Sequence, residues 1–201
     1  MNPFSRIEAR KLLPAIANVE TPAQALGLAR AYLDAGLDVM EITLRRPSAL
    51  DCILAIRQEL PEMLCGAGTV LTVQQVESLA AAGIPFAVSP GFNPVVVRAA
   101  VEAGLPFAAG IGTPGELEQA VALGCSHVKP FPVEALGGVA FLKALSGPYA
   151  HTGVRFIPMG GIQLDDLADY LALPTVAALG ISALSPADLV REGRWLSLIH
   201  I

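Results

Sequence analysis

The stretch AVALGCSHVKPF, residues 120–131, joins an alanine-rich helical segment to an apolar run through a single glycine, Gly124. Glycine suits the position just after a helix because the left-handed backbone conformation costs it little. The run that follows is largely apolar and does not alternate strictly, which is typical of a strand buried on both faces of a parallel sheet. The stretch therefore predicts a helix, a tight turn and a buried strand in succession.

The same pattern recurs along the chain. It is found again in YLDAGLDVMEITL (32–44), LAAAGIPFAVSP (79–90) and AVEAGLPFAAGI (100–111). We predict eight strands, at 12–17, 39–44, 64–70, 85–90, 106–111, 127–132, 155–160 and 176–181. Helix-start chemistry, an N-cap residue with or without a following proline, precedes several of the segments between them, at Thr21-Pro22, Thr72, Asn93-Pro94 and Thr113-Pro114.

Eight strand–helix units predict an α/β fold of the (β/α)8, or TIM-barrel, type. We expect a single domain over residues 1–201, with a helix or arm at 1–10 and an atypical apolar tail at 195–201. A doubly wound open sheet is the structural alternative, but no G-x-G-x-x-G motif follows the first predicted strand.

Composition narrows the classes of partner. The chain is 53% hydrophobic and 15% charged, with a formal charge of −5, so much of it is interior and a subunit interface is compatible with its low charge. The lack of a Lys/Arg cluster argues against nucleic acid. We find neither a membrane-spanning stretch nor a secretory signal and expect a cytoplasmic location. The three cysteines, Cys52, Cys65 and Cys125, form no C-x-x-C pair and are expected to be free thiols.

Two charged residues fall inside predicted strands. Alternation along a strand places Glu41 with Thr43 on one face, and Lys129 with Phe131 on one face. If both faces point inward, Glu41 and Lys129 meet in the interior of the barrel. Burial lowers the pKa of a lysine, so such a residue can act as a neutral nucleophile toward a ketone, with a carboxyl group moving protons. The alternative is a structural ion pair in the core, which is a poor stabiliser compared with apolar packing.

The loops after strands 7 and 8 carry the glycines of MGGI (159–162) and GIS (180–182). Many barrels bind phosphate at these two loops through backbone N–H groups. We therefore predict a phosphate site there, to which Ser182 adds a hydroxyl. The alternative is that these are ordinary turn glycines.

The sequence around the remaining polar residues indicates their roles less specifically. His127, His151 and His200 share no metal-ligand spacing, so we expect no metal. Arg45 either forms a solvated pair with Arg46 or turns inward to bind a carboxylate. Glu116 and Glu134 are interpreted as residues that cap helix starts.

Six motifs occur in order and at matching spacing with a family of known aldolases: EITLR (41–45), GAGTV (66–70), SPG (89–91), VKPFPVEALGG (128–138), PMGGI (158–162) and GIS (180–182). From about Leu12 to Trp195 the chain resembles the 2-keto-3-deoxy-6-phosphogluconate (KDPG) and 4-hydroxy-2-oxoglutarate aldolases. The resemblance implies a class I aldolase, without a metal or other cofactor, on a (β/α)8 barrel that is usually a homotrimer.

The resemblance also implies a role for each site residue. Lys129 would form the Schiff base and Glu41 would be the general acid and base, working through a water molecule. Arg45 and Thr69 would hold the carboxylate of the pyruvyl group, and Pro90 and Phe131 would line the pocket. Gly160, Gly161 and Ser182 would cradle the distal phosphate. The implied reaction is reversible cleavage of a 2-keto-3-deoxy-6-phospho sugar acid to pyruvate and glyceraldehyde 3-phosphate.

The sequence departs from the family pattern at three positions. Pro130 follows the lysine where phenylalanine is common, and Met159 precedes the two glycines where threonine is common. Ile181 replaces a common glycine, which predicts a tighter phosphate site. Because Met159 lacks a hydroxyl near the middle carbons of the substrate, the galactonate analogue and 4-hydroxy-2-oxoglutarate remain alternative substrates. The alternative classes are a phosphate-binding isomerase or epimerase and a non-catalytic sugar-phosphate binder.

Overall fold

A computed structural model describes residues 2–195 of the chain. Its strands are β1 Leu12–Ile16, β2 Val39–Thr43, β3 Leu64–Gly68, β4 Ala87–Val88, β5 Phe107–Ile111, β6 His127–Pro130, β7 Arg155–Phe156 and β8 Leu179–Ile181. Its α-helices are α1 Pro3–Arg10, α2 Pro22–Asp34, α3 Ala49–Glu59, α4 Val73–Ala81, α5 Pro94–Glu102, α6 Pro114–Ala122, α7 Gly138–Tyr149, α8 Leu167–Leu171 and α9 Ala187–Glu192. Each of the eight predicted runs therefore contains a strand.

The strands form one parallel sheet in the order β7-β6-β5-β4-β3-β2-β1-β8. This sequential order differs from that of a doubly wound sheet, in which the strand order reverses at a switch point. Further hydrogen bonds join the β7 and β8 segments: Phe156 N–H donates to the Thr175 carbonyl (2.9 Å), and Gly180 N–H donates to the Pro158 carbonyl (2.9 Å). Parallel strands alternating with helices in this order are consistent with the predicted (β/α)8 fold.

The predicted helix boundaries are confirmed by the backbone. The side chains of Thr21, Thr72, Asn93 and Thr113 each accept a hydrogen bond from an N–H in the first turn of the helix that follows. Gly36, Gly83, Gly104 and Gly124 follow helices with φ angles of 80°, 66°, 65° and 94°. These left-handed angles explain why the helix-to-strand pattern of the sequence contains a glycine each time.

Side chains pack in two layers on either side of the sheet. The interior layer contains Leu13, Val39, Phe86 and Ile157, each 0% exposed, and the exterior layer lies between the strands and the helices. Helix α1, which the sequence predicted as a helix or arm at 1–10, adds Phe4 and Ile7 to the interior layer. Because β1 follows directly, α1 lies at the amino-terminal end of the sheet and leaves the carboxyl ends of the strands accessible.

His127 helps to hold α1 in place. Its ring stacks on Phe4 with 4.4 Å between ring centroids, and its Nε2 atom lies 2.7 Å from Glu8 Oε1. Burial lowers the pKa of His127, while the neighbouring Glu8 carboxylate opposes that change. The residue therefore joins α1 to the start of β6.

Asp38 anchors the same helix through two arginines. Arg6 Nη2 lies 2.7 Å from Asp38 Oδ2, and Arg10 Nε lies 2.5 Å from Asp38 Oδ1. These arginines hold the pKa of Asp38 well below its usual range. A carboxyl with a lowered folded-state pKa stabilises above its unfolded pKa of about 3.9 and loses that contribution as the pH falls through the folded value.

Asp38→Asn should therefore lower the thermal midpoint at pH 7 by about 2–4 °C, the response of a chain of this size to a small loss of stability. The deficit should shrink as the pH falls below about 4, where the wild-type carboxyl loses its own advantage. Circular dichroism melts of both proteins at pH 7 and pH 3 measure this. A deficit that grows toward low pH would rule out the ion-pair explanation.

Pro130 was predicted to end the regular pairing of β6, leaving Lys129 as the last residue of the strand. The strand instead runs through Pro130, and Phe131 N–H still donates to the Ile111 carbonyl of β5 (3.0 Å). The prediction was therefore wrong by one residue on the β5 side. On the β7 side the paired residues end at Val128 and Phe156 because Pro130 has no N–H to donate, although the Pro130 carbonyl still accepts a hydrogen bond from Met159 N–H (3.0 Å). The ladder does not continue to Pro132, as predicted.

Cys52, Cys65 and Cys125 are buried free thiols, as predicted. None of the helices within residues 2–195 is long and apolar enough to cross a membrane. Trp195, the first residue of the predicted apolar tail, packs against Gly27 of α2. Residues 196–201 of this tail lie outside the described part of the chain.

Candidate functional site

A cavity of about 430 Å³ opens at the carboxyl ends of the strands. The strands bring together side chains that lie far apart in sequence, because parallel strands all end on the same side of the sheet. Most residues singled out from the sequence line this cavity: Glu41, Arg45, Thr69, Pro90, Lys129, Phe131, Gly160 and Ser182.

Lys129 and Glu41 form the centre of the cavity. Lys129 Nζ lies 3.6 Å from Glu41 Oε1, and the two side chains are 7% and 1% exposed. This distance is too long for a good hydrogen bond, although it is within range of a strong charge interaction. The Lys129 Nζ atom also lies 5.2 Å from the centroid of the Phe131 ring. The amine therefore faces both the carboxyl group and an aromatic wall.

The environment of Glu41 favours the protonated form. Burial raises the pKa of Glu41, and the positive charges of Lys129 and Arg45 oppose that rise without cancelling it. Within the described part of the chain, neither oxygen of the carboxyl group has a hydrogen-bond partner. A carboxyl group with a raised pKa can act both as a proton donor and as a proton acceptor in catalysis.

Arg45 and Thr69 lie at the rim of the cavity. Arg45 is exposed and borders both the cavity and an adjoining surface cleft of about 420 Å³. Its neighbour Arg46 turns away and pairs with Glu20 at 3.2 Å. Thr69 has a φ angle of 58°, a conformation that β-branched residues rarely adopt. Of the two roles considered for Arg45, the structure places it where it can bind an anion in the cavity.

The two glycines after β7 are placed differently. Gly160 lines the cavity, and a Cβ atom there would approach Pro132 Cα to 2.9 Å, so a larger residue would not fit. Gly161 is not among the residues that line the cavity, and a Cβ atom on it would lie 2.7 Å from Glu134 Cβ. Its backbone lies behind Gly160, against the loop after β6.

Glu134 and Glu116 do not share the predicted capping role. Glu116 Oε2 accepts hydrogen bonds from Gly112 N–H (2.7 Å) and Thr113 Oγ1 (3.0 Å) at the start of α6, as predicted. Glu134 instead accepts a hydrogen bond from the hydroxyl of buried Tyr170, and helix α7 has no side-chain cap. The prediction for Glu134 was wrong: α7 begins at Gly138 without a side-chain cap, and although a Cβ atom on Gly138 would lie 3.3 Å from Glu134 Oε2, the carboxyl group bonds to Tyr170 instead.

Ile181 does not narrow the predicted phosphate site. Its side chain is 1% exposed and packs in the exterior layer between the sheet and the helices. Its neighbours Gly180 and Ser182 line the cavity instead, as alternation along a strand requires. The expectation that Ile181 tightens this site was therefore wrong.

Three residues that line the cavity were given no role by sequence reasoning: Ala15, Ala17 and Thr43. Alternation from Glu41 pointed to the face of Thr43 but gave no reason to assign it a role. Met159 also lines the cavity and is 2% exposed. A Cβ atom on Gly180 would lie 2.1 Å from the Cγ atom of Met159. Glycine at position 180 therefore makes room for the methionine, a pairing that only the structure reveals.

Known proteins resemble the chain over most of its length. The family model described as KDPG and KHG aldolase matches residues 4–201. A 2-dehydro-3-deoxy-phosphogluconate aldolase from Treponema pallidum is 46% identical over 190 residues, which are 94% of this chain and 89% of that protein.

Solved structures of KDPG aldolases also resemble the chain. KDPG aldolase from Legionella pneumophila, with pyruvate captured as a covalent carbinolamine intermediate, superposes with a TM-score of 0.92 at 36% identity, covering 99% of this chain and 95% of that one. The Zymomonas mobilis enzyme with 3-phosphoglycerate superposes with a TM-score of 0.84 at 30% identity, covering 96% and 93%. The chain belongs to the KDPG and KHG aldolase family.

Proposed function

We propose that the protein is a class I aldolase that reversibly cleaves 2-keto-3-deoxy-6-phosphogluconate to pyruvate and glyceraldehyde 3-phosphate. The observation that carries this proposal is the buried pair of Lys129 and Glu41, 3.6 Å apart in the cavity at the carboxyl ends of the strands. The covalent pyruvate intermediate of the Legionella pneumophila relative supports the same chemistry for this family member.

The reaction begins when the neutral amine of Lys129 attacks C2 of the substrate. A C–N bond forms, and the carbonyl oxygen becomes the hydroxyl of a carbinolamine. Glu41 in its acid form then supplies a proton, water leaves, and a protonated imine remains. The raised pKa of Glu41 suits this step because it increases the fraction of the acid form that can donate the proton.

Cleavage of the carbon–carbon bond uses Glu41 in its deprotonated form. The Glu41 carboxylate takes the proton of the C4 hydroxyl, the C3–C4 bond breaks, and the electron pair moves into the imine as an enamine. The aldehyde departs. Protonation at C3 and hydrolysis of the imine then release pyruvate and restore Lys129.

Binding groups surround this centre on three sides. Arg45 and Thr69 hold the carboxylate next to the ketone, since an arginine fork matches a carboxylate. Pro90 and Phe131 pack against the chain of the substrate. At the far end we assign the phosphate to the backbone N–H groups of the Gly160–Gly161 loop and to the Ser182 hydroxyl; of these, Gly160 and Ser182 line the cavity. The phosphorylated acid in the Zymomonas mobilis relative supports a phosphate site in this fold.

Met159 supports a second candidate substrate, the C4 epimer or 4-hydroxy-2-oxoglutarate. Its buried thioether lines the cavity and offers no hydroxyl to a C4 hydroxyl group. An apolar wall discriminates weakly between positions of a hydroxyl, whereas a hydrogen-bonding wall discriminates strongly. Comparing kcat/KM for the two C4 epimers and for 4-hydroxy-2-oxoglutarate ranks these substrates.

Trapping with pyruvate and borohydride tests the proposed function. Reduction should fix one pyruvate unit on the peptide that contains Lys129, since borohydride converts the imine to a stable amine. Peptide mass spectrometry reads the result. An enzyme that turns over a phosphosugar without a trappable adduct would be an isomerase or epimerase, and a protein that only binds the phosphosugar would be a non-catalytic binder.

We also propose the finer features of the molecule that the family resemblance implies. The chain forms one domain with a closed barrel, supported by the hydrogen bonds between the β7 and β8 segments. It assembles as a homotrimer in the cytoplasm. Exposed apolar side chains near the carboxyl ends of the strands, Leu71 (53%) and Val95 (61%), support an interface there.

A further inference from the structure

Glu134 and Tyr170 form a hydrogen-bonded pair next to the loop to which the phosphate is assigned. The Tyr170 hydroxyl donates to Glu134 Oε1, and Tyr170 itself is 1% exposed. Glu134 follows β6, whereas Tyr170 lies in α8, so the pair ties the segment after β6 to the helix that follows β7. Neither residue is among those that line the cavity. We call these two residues the Glu134–Tyr170 pair.

The backbone of Glu134 holds the Gly160–Gly161 loop directly. Its N–H donates to the Gly160 carbonyl (3.1 Å), next to the bond from Val133 N–H to the Met159 carbonyl (2.8 Å). The Gly160 carbonyl and the Gly161 N–H belong to one planar trans peptide and therefore point in opposite directions. Because the carbonyl points toward Glu134, the Gly161 N–H points away from the segment after β6.

The side chain of Glu134 fills the space behind Gly161. A Cβ atom on Gly161 would lie 2.7 Å from Glu134 Cβ and 2.8 Å from Glu134 Cγ. The Gly161 carbonyl also accepts a hydrogen bond from Gln163 Nε2 (2.8 Å). Glycine has the widest choice of backbone conformations, so these neighbours are needed to fix the direction of its N–H. The loop therefore rests against the Glu134 side chain.

Tyr170 in turn fixes the direction of the Glu134 carboxyl group. A Cβ atom on Gly138, the first residue of α7, would lie 3.2 Å from the Tyr170 hydroxyl oxygen and 3.3 Å from Glu134 Oε2. The carboxyl group is thus held at the start of α7, where a negative charge is favourable. Burial and the Glu134 carboxyl group raise the pKa of Tyr170, so its hydroxyl keeps its proton and remains a donor. Without this donor the carboxylate would be free to turn toward a bound phosphate, which it would repel.

We propose that Glu134 and Tyr170 are positioning residues, which hold the Gly160–Gly161 loop in the conformation that binds the phosphate of the substrate. This inference rests on the proposed aldolase function and gives its phosphate site a support outside the cavity. The pair acts on phosphate binding and not on the chemistry at Lys129, since neither residue lines the cavity. Loss of the pair should therefore weaken the recognition of phosphorylated substrates selectively.

Two aldehydes that differ only in the phosphate test this selectivity in the synthesis direction. With pyruvate as the other substrate, Tyr170→Phe and Glu134→Ala should each lower kcat/KM for glyceraldehyde 3-phosphate by about 3- to 10-fold, the scale of one intramolecular hydrogen bond. Most of this change should appear in KM. For glyceraldehyde, which lacks the phosphate, kcat/KM should stay near the wild-type value. Steady-state kinetics with both aldehydes give the ratio, and the two variants remove the same bond from opposite ends, so either suffices if the other folds poorly.

Two further variants serve as controls. Glu134→Gln keeps an oxygen that accepts from Tyr170 and keeps the carbon atoms behind Gly161, so its ratio should be close to that of the wild type. Tyr149→Phe removes a bond of the same kind elsewhere, since the Tyr149 hydroxyl donates to Glu118 Oε1 (2.7 Å) and neither residue lines the cavity. This variant should leave the kinetics with both aldehydes unchanged.

A merely structural role for the pair would lower kcat/KM for both aldehydes equally in Tyr170→Phe and Glu134→Ala, and that result would overturn the proposal. Exchange of the pyruvate methyl protons for deuterium needs the imine and the enamine but no phosphate, so it gives a second phosphate-free reference. Wild-type protein that neither exchanges these protons nor forms the borohydride adduct would defeat the proposed function. Normal exchange together with an unchanged preference for the phosphorylated aldehyde in both variants would defeat only the role of the Glu134–Tyr170 pair.

Discussion

Lys129→Ala should lower kcat/KM for cleavage by about 10,000-fold or more, since the loss of a covalent nucleophile removes the whole pathway that it opens. The alanine variant keeps Arg45 and the phosphate loops, so it should still bind the substrate. Pyruvate and borohydride should leave no adduct on this variant. The measurement is a pyruvate-release assay combined with peptide mass spectrometry after reduction.

A stability control separates chemistry from folding in this experiment. Removing Lys129 alone leaves Glu41 buried without its neighbouring positive charge, which is unfavourable. The double variant Lys129→Met with Glu41→Leu removes both charges and should keep or raise the thermal midpoint. It should be as inactive as Lys129→Ala. An adduct that persists in either variant would place the nucleophile at another residue.

The sequence predicted most of the architecture because its signals are local. A glycine after four of the helices, an N-cap residue before several of them and continuous apolar runs are properties of a few neighbouring residues, and each of the eight predicted runs contains a strand. Alternation along a strand also placed Glu41 and Lys129 on faces that could meet. That they lie 3.6 Å apart depends on the curvature of the sheet, which no short stretch encodes.

What the sequence missed depends on pairings across strands. Glu41 and Thr43 pack closely against Gly68 of the next strand because that residue has no side chain, and Met159 fits because Gly180 faces it. Sequence motifs such as GAGTV carry the glycine but not its partner. Glu134 gives the same lesson, since its hydrogen bond to Tyr170 joins residues 36 positions apart.

Glu41→Gln should lower kcat by about 1,000-fold while KM changes little, since general acid–base catalysis contributes about 100- to 10,000-fold. Glutamine keeps the shape of the side chain but cannot exchange a proton with the substrate. Lys129 is retained, so the borohydride adduct with pyruvate should still form, although slowly. Steady-state cleavage and a time course of adduct formation measure the two effects. A variant with wild-type kcat would show that another group moves the proton.

The same substitution carries a pH-dependent effect on stability. Burial raises the folded-state pKa of Glu41, so its contribution is intact below the unfolded pKa of about 4.3 and is lost as the pH rises through the folded value. Glutamine has no such loss. The thermal midpoint of Glu41→Gln relative to wild type should therefore increase between pH 4 and pH 8. A difference that decreases over this range would mean that the attraction of Lys129 and Arg45 for the carboxylate outweighs its desolvation, and Glu41 would then be a fixed negative charge that cannot supply the proton for carbinolamine dehydration.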